Sequence, residues 1–309
     1  MTIAVCFWSP EGVVLGADST TTLEVSSPHG ERYLNHAQKI FQVDDAGTLG
    51  IATWGAAGFG MLSHRTVIAR LGARLRTHPP QTVRDAADEW AALVWRAARD
   101  AFADDLKAVD AIIERTVPGA AGPPATPEEQ QVVAVARNFY VGFYVAGRNV
   151  SDHSPDAYRV ELQGLIDRPR VERLGRGWNM NGSTALACRI LRGWDPALVD
   201  AVLAARAPVP PAPSEQSALA QGAPALAAPL WSGSRGELEA ALAPLELPVP
   251  PNLPIREAVD FVHFVVQATV KSLKFGRLPP GVGGPVELAI ITSDRPFRWV
   301  KHKTFDAAL

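Results

Sequence analysis

Residues 2–22 read TIAVCFWSPEGVVLGADSTTT. Thr2 to Trp8 is apolar and rich in β-branched residues, Ser9-Pro10-Glu11-Gly12 supplies a turn, and Val13 to Ala17 resumes the apolar run. Two such runs around a Pro/Gly turn predict a β-hairpin. Asp18 closes the second strand, so antiparallel pairing sets it across from the start of the first, where Thr2 stands.

Outward from the hairpin, a polar loop at Ser26 to Glu31 leads to a predicted strand from Tyr33 to Val43 that contains Lys39. A cation in the apolar run Lys39-Ile40-Phe41 requires a partner. After the turn Asp44 to Gly47 comes a strand from Leu49 to Thr53, and then Gly55, Gly58 and Gly60 crowd the entrance to a helix over Met61 to Arg76. Thr82, with Asp85 three residues on, predicts the N-cap of a second helix. Val83, Trp90, Leu93, Val94, Ala97 and Ala101 form its apolar face, and the pattern continues through Leu106, Val109 and Ile113. Trp90 and Trp95 read as packing residues. Residues 117–129 read as a Pro/Gly/Ala loop, with Glu128-Glu129 suited to a solvated helix start.

Strands are predicted at Asn138 to Ala146, Tyr158 to Ile166 and Val171 to Trp178, and helices from Gly182-Ser183 to Leu191 and from Asp195-Pro196 to Ala205. At about 207–254 Pro, Ala and Ser dominate, with one short helix (Arg235 to Ala243). This stretch reads as an insertion in a single domain covering 1–309. A helix from Ile255 to Leu273 and strands at Val286 to Ile291 and Pro296 to Lys301 follow. Blocks of strands alternating with blocks of helices predict an α+β fold of stacked sheets under helical layers.

With 309 residues, 47% hydrophobic and 20% charged, the composition is that of a globular protein with a sizeable core. The net charge of −2 gives no sign of a nucleic-acid or anionic-membrane partner. Cys6 and Cys188 read as buried thiols rather than a disulfide framework or zinc site. The seven histidines include no pair at metal-ligand spacing and read as core or surface residues. No P-loop motif stands in the sequence, and no cofactor, metal or ATP site is expected. The N-terminus lacks a basic segment followed by an unbroken apolar stretch, and no run approaches the roughly 20 apolar residues of a membrane span. A cytoplasmic location is therefore expected.

A threonine hydroxyl is a poor nucleophile without an adjacent base. A free α-amino group, with a pKa of about 7.7–8.0, is partly unprotonated at neutral pH. If Met1 is trimmed, Thr2 carries such an amine beside its own hydroxyl. A nearby cation lowers the amine pKa and stabilises developing negative charge, and a carboxylate holds that cation. Lys39 and Asp18 are candidates for these parts. Gly55, at the end of a strand, is placed to offer its N–H to an oxyanion. Ser183, at a helix start, is placed to bond the free amine.

The runs TIAVCFWSPEGVVLGADSTTT, QKIFQVDD and LGIATWGAAG resemble the N-terminal half of proteasome β-type subunits, which are N-terminal-nucleophile hydrolases. FYVAGRN, the GST that opens a helix and VGGPVELAII extend the resemblance, which is nearest to the bacterial Anbu group. It implies a four-layer αββα sandwich, with Thr2 as nucleophile, Asp18 and Lys39 as its supporting pair, Gly55 as oxyanion donor and Ser183 as amine contact. It places Thr21, Thr22 and Thr53 along the substrate groove and specificity pocket. Identical subunits in a ring-like or stacked homo-oligomer are implied, with a peptide or small amide as substrate; no unfoldase partner is identified. Two departures stand out. The segment TVKSLKFGRLPPG offers Ser272 but no Asp where the family carries both, and Asn181 competes with Ser183 for the amine. The alternatives are a small-amide hydrolase or acyltransferase on the same fold, and an inactive structural subunit, against which the Thr–Asp–Lys set argues.

Overall fold

The expected hairpin is present, as β1 (Ile3–Ser9) and β2 (Gly12–Ala17). The structure, a computed structural model, describes residues 2–25, 30–116, 125–208, 227–229, 231, 233–276 and 281–303. The chain divides into two compact units, Met1–Ser183 with Pro250–Leu309, and Thr184–Val249.

In the first unit the chain continues through β3 (Thr21–Val25), β4 (Gly30–Leu34), β5 (Ile40–Gln42), β6 (Leu49–Gly55), β7 (Gly58–Phe59) and β8 (Leu62–Ser63). Helices α1 (His64–Thr77), α2 (Val83–Ala101), α3 (Ala103–Thr116) and α4 (Pro127–Asn138) follow, then β9 (Tyr140–Arg148), β10 (Pro155–Gln163), β11 (Arg170–Arg173) and β12 (Gly177–Gly182). The second unit holds α5 (Ala185–Arg192), α6 (Pro196–Ala204), the short pair β13 (Arg206–Pro208) and β14 (Ala227–Pro229), and α7 (Arg235–Leu242). Its apolar centre joins Trp194, Val199 and Leu238. The first unit resumes with α8 (Ile255–Phe275), β15 (Glu287–Thr292) and β16 (Arg298–Lys301).

Two five-stranded sheets dominate the first unit, in the orders β12-β1-β2-β15-β16 and β11-β10-β9-β6-β5. Every neighbouring pair in them is antiparallel. Side chains alternate across a strand, and here both faces of the first sheet are covered. Ala4, Cys6 and Trp8 of β1, with Val13 and Leu15 of β2, meet Ala52 and Trp54 of β6 and Tyr144 and Ala146 of β9 in a core between the sheets. On the opposite face Phe7 packs edge-on against Phe261 of α8, with ring centroids 5.8 Å apart. Burial on both sides explains why β1 is an unbroken apolar run rather than an alternating one.

The outer face of the second sheet is covered by α1 and α2, whose Leu71, Val83, Trp90 and Val94 join Phe41, Ile51, Phe143 and Val160 in a second core. Helix α2 starts where a capping box stops the backbone from fraying. The Thr82 hydroxyl accepts from the Asp85 N–H, and the Asp85 carboxylate accepts from the Thr82 N–H.

The structure corrects four expectations. The strand expected over Tyr33 to Val43 is two short strands in different sheets, β4 and β5, and Lys39 lies just before β5. The chain between them is tied to the end of the first hairpin, since Ala37 N–H donates to Ser19 O and Thr20 Oγ1 to Asn35 Oδ1. Residues 171–178 likewise split between β11 and β12, which belong to different sheets. The helical pattern after α2 breaks at Phe102, whose ring lies edge-on to Phe139, and α3 starts afresh with Asp104 and Asp105 in its first turn. Finally, the loop expected through residue 129 gives way to α4, capped by Thr126 and Glu129 with Pro127 in its first turn.

Positions 26–29, 117–124, 209–226, 230 and 232 lie outside the described residues, and with them much of the polar loop, the Pro/Gly/Ala loop and the insertion. Among the described residues no helix is long and apolar enough to cross a membrane.

Trp90 is fully buried, with its ring edge-on to Phe143 at 5.0 Å. Trp90→Ala is expected to lower the free energy of unfolding by about 3–5 kcal/mol, measured by urea titration.

Candidate active site

Strand parity fixes where Thr2 points. Ala4, Cys6 and Trp8 face the space between the sheets, so the preceding even position opens toward the same space at its edge. Thr2 is 7% exposed, and its carbonyl accepts the Ser183 N–H at 2.6 Å, continuing the β1–β12 pairing. Gly182 has φ +88°, and a Cβ there would overlap the Thr2 carbonyl oxygen, so only glycine allows this approach.

The register of β1 on β2 pairs Ala4 with Ala17, which brings Asp18 opposite Ile3. Asp18 is fully buried and holds four donors. Oδ1 accepts the Ile3 N–H at 3.1 Å and Lys39 Nζ at 2.7 Å. Oδ2 accepts the N–H groups of Thr20 and Gly283, each at 3.0 Å. A buried carboxylate with every direction filled neither rotates nor lacks compensation for its lost hydration.

Lys39 Nζ donates to Thr2 Oγ1 at 2.7 Å as well as to Asp18 at 2.7 Å. Lys39 is 5% exposed. Burial pulls its pKa below the usual lysine range, and the charge and hydrogen bond of Asp18 partly offset that pull. The result is a lysine that touches a hydroxyl and is easier to deprotonate than one in water.

Around this contact lies a small cavity of about 60 Å³ whose lining includes Thr2, Thr21, Lys39, Thr53, Gly55 and His64. Gly55, at the end of β6, has φ +85°, which turns the chain out of the strand beside the cavity. The Thr53 hydroxyl lies 3.3 Å from His64 Nδ1. His64 is buried against Phe59 and Phe143, and burial lowers its pKa to about 4, so it is neutral near pH 7. A larger hollow of about 520 Å³ beside α2, lined by Trp95, Arg96, Arg99 and Arg168 among others, contains no Thr, Ser or Cys nucleophile.

The chain is similar in fold to Anbu. The solved structure that carries this finding is the Gly-1 mutant of Anbu from Hyphomicrobium sp. strain MC1, matched with a TM-score of 0.51 at 13% sequence identity. The match covers 100% of this chain and 88% of that one. No family model matches the chain, and no curated protein does. At this identity the likeness is one of fold, and the chemistry of the site rests on its own geometry.

Of the residues singled out from the sequence, the fold gathers Thr2, Asp18 and Lys39 into one hydrogen-bonded chain and sets Gly55, Thr21 and Thr53 around the adjoining cavity. Thr22, next along β3, is not among the cavity-lining residues, as strand alternation requires. Ser183 reaches Thr2 through its backbone N–H, and Asn181 Nδ2 donates to the Tyr144 hydroxyl at 2.8 Å. Asn181 is thereby engaged through its amide nitrogen.

Sequence reasoning missed His64 and Gly283. His64 directly follows the cap residue Ser63, in a stretch read there as the interior of a longer helix. Gly283 acts through its backbone N–H, which no residue pattern announces.

His64 yields a pH dependence of stability. A histidine with a folded pKa of about 4, below its unfolded value, takes up its proton first in the unfolded chain. Stability from this group is therefore present above about pH 6.5 and lost as pH falls toward 4, by up to ~3 kcal/mol. His64→Gln is expected to flatten the fall in melting temperature between pH 6.5 and 4, measured by calorimetry.

Proposed function

We propose that the chain is a threonine-type amide hydrolase, a proteasome-like peptidase built on the four-layer αββα sandwich of N-terminal-nucleophile hydrolases. The observation that carries this reading is Lys39 Nζ, which bridges Thr2 Oγ1 and Asp18 Oδ1 at 2.7 Å each. The chemistry requires Met1 to be removed. While Met1 is attached, the Thr2 nitrogen is an amide without a basic lone pair; afterwards it is a primary amine within reach of the hydroxyl.

In this reading Thr2 Oγ1 attacks the substrate's carbonyl carbon as its proton passes to the α-amine. Lys39 stabilises the developing charge on the oxygen, and Asp18 holds Lys39. The carbonyl oxygen becomes an oxyanion that takes the Gly55 N–H. The C–N bond then breaks, the leaving amine takes the proton, and an ester remains on Thr2. Water activated by the same amine hydrolyses the ester and restores the hydroxyl. Ser183 is assigned to hold the amine, and Thr21 and Thr53, which line the cavity, to the substrate groove. The contact between Lys39 and the hydroxyl, with the lowered lysine pKa, favours a variation in which Lys39 itself accepts the hydroxyl proton.

The cavity of about 60 Å³ beside Thr2 suits a peptide or small amide that places a small side chain there. Thr53 and the neutral His64 give its wall a mildly polar character. Identical subunits in a ring-like or stacked assembly are the partners assigned to it, and the cytoplasm its compartment. A small-amide hydrolase or an acyltransferase would use the same residues with a different acceptor or leaving group.

The purified protein is expected to be lighter by one methionine residue in an intact-mass measurement. A panel of fluorogenic peptides with small residues at the cleaved bond should be turned over by the wild type and not by Thr2→Ala, with circular dichroism unchanged. Retained Met1, or equal turnover by Thr2→Ala, would refute the site.

A further inference from the structure

Behind the Thr2–Lys39–Asp18 chain lies a second charge cluster, built on the buried Glu287, that the reaction above does not use. Glu287 begins β15 opposite Ala17 of β2 and is fully buried. Its Oε2 accepts the backbone N–H of Lys39 at 3.2 Å. Its Oε1 lies 3.0 Å from His302 Nδ1 and 3.3 Å from Lys303 Nζ, close electrostatic contacts rather than aligned hydrogen bonds.

Lys303 lies two residues beyond the end of β16, and its side chain is only 14% exposed. Nζ donates to Ala37 O at 2.6 Å and to Ser19 Oγ at 3.1 Å. Ser19 Oγ in turn donates to Pro285 O at 2.7 Å. One ammonium therefore joins the segment after Asp18, the segment before Lys39 and the strand that carries Glu287.

We propose that Lys303, held against Glu287, is a positioning residue that clamps the backbone segments of Asp18 and Lys39 in the register the Thr2–Lys39–Asp18 contacts require. The proposal rests on the reading of Thr2 as nucleophile. Both backbone polar groups of Lys39 are then held. Thr53 N–H donates to Lys39 O at 3.0 Å, and Glu287 accepts Lys39 N–H. Lys303 holds Ala37 and Ser19 from below. The same ammonium is a like charge near Lys39 and favours its neutral form, whereas Glu287 opposes this. A cluster of one carboxylate and one ammonium wholly for packing would be replaceable by apolar groups at little cost. Three contacts directed at the two site segments, from Glu287 to the Lys39 N–H and from Lys303 to Ala37 O and Ser19 Oγ, argue for geometry.

The test uses a tripeptide vinyl sulfone with alanine next to the electrophile. Thr2 O–H adds across its activated double bond: oxygen bonds to the β-carbon, the proton goes to the α-carbon, and nothing leaves. Inactivation is followed by mass spectrometry to give kinact and KI separately. Lys303→Met, which keeps the stem but removes the ammonium, should lower kinact by about tenfold to a hundredfold, the scale of a misplaced reacting group. KI should stay within about twofold, because the groove is untouched. Glu287→Gln provides a second variant with the same expectation if Lys303→Met folds poorly. Lys301→Met, an exposed neighbour in the same segment, should leave kinact unchanged. Unaltered kinact in folded Lys303→Met or Glu287→Gln would overturn the proposal, as would an equal loss in Lys301→Met. If wild-type protein forms no adduct at Thr2, the nucleophile reading fails first and takes this one with it.

Discussion

A lysine ammonium almost wholly removed from water must be surrounded by groups that replace its hydration, and at Lys39 this requirement organises the molecule. Asp18 supplies the charge, but only because its own oxygens are saturated by Ile3, Thr20 and Gly283 N–H groups. Those donors come from β1, from the segment after β2 and from the chain leading into β15. Sheet closure and the charge pair are therefore one constraint: shifting any of these strands would unmake the carboxylate's shell. Thr2 Oγ1 takes another direction of the ammonium, so a hydroxyl becomes part of the solution to a burial problem.

The apolar cores make the constraint affordable. Trp54 and Tyr144, 4.6 Å apart between centroids, fill the space between the sheets. The Trp54 indole donates to the Tyr140 hydroxyl, which donates to Glu161. Burial of side chains of this kind contributes about 1.5–3 kcal/mol each, and the site occupies the rim of that packed layer. Polar residues at the rim keep one side against rigid core while the other faces the small cavity, an arrangement suited to holding reacting groups still.

Much of this was legible in the sequence, for identifiable reasons. The β1–β2 hairpin follows from two apolar runs around Ser9 to Gly12, and the α2 cap from Thr82 and Asp85. Thr2 and Asp18 could be set opposite each other because antiparallel pairing needs only a turn position to define register. Lys39 was legible as a buried cation in want of a partner, although not as a residue outside a strand. What escaped notice depends on tertiary placement. The split of 171–178 between two sheets is decided by which layer each half joins, and both halves have strand-like composition. Gly283 acts through a main-chain N–H, and His64 becomes part of the cavity wall only once α1 packs beside β6. Ser183 was selected for its hydroxyl, yet its bond to Thr2 is made by the backbone.

Catalysis at this site requires Thr2 to carry a free amine and a nucleophilic hydroxyl on the same residue. A peptide epoxyketone tests both atoms together, because it can close a ring only with an adjacent amine and hydroxyl. After incubation, proteolytic digestion and tandem mass spectrometry should locate one probe on the N-terminal peptide, starting at Thr2, with both atoms bonded. An unmodified N-terminal peptide that still begins with Met1, or an adduct carried elsewhere, would contradict the account.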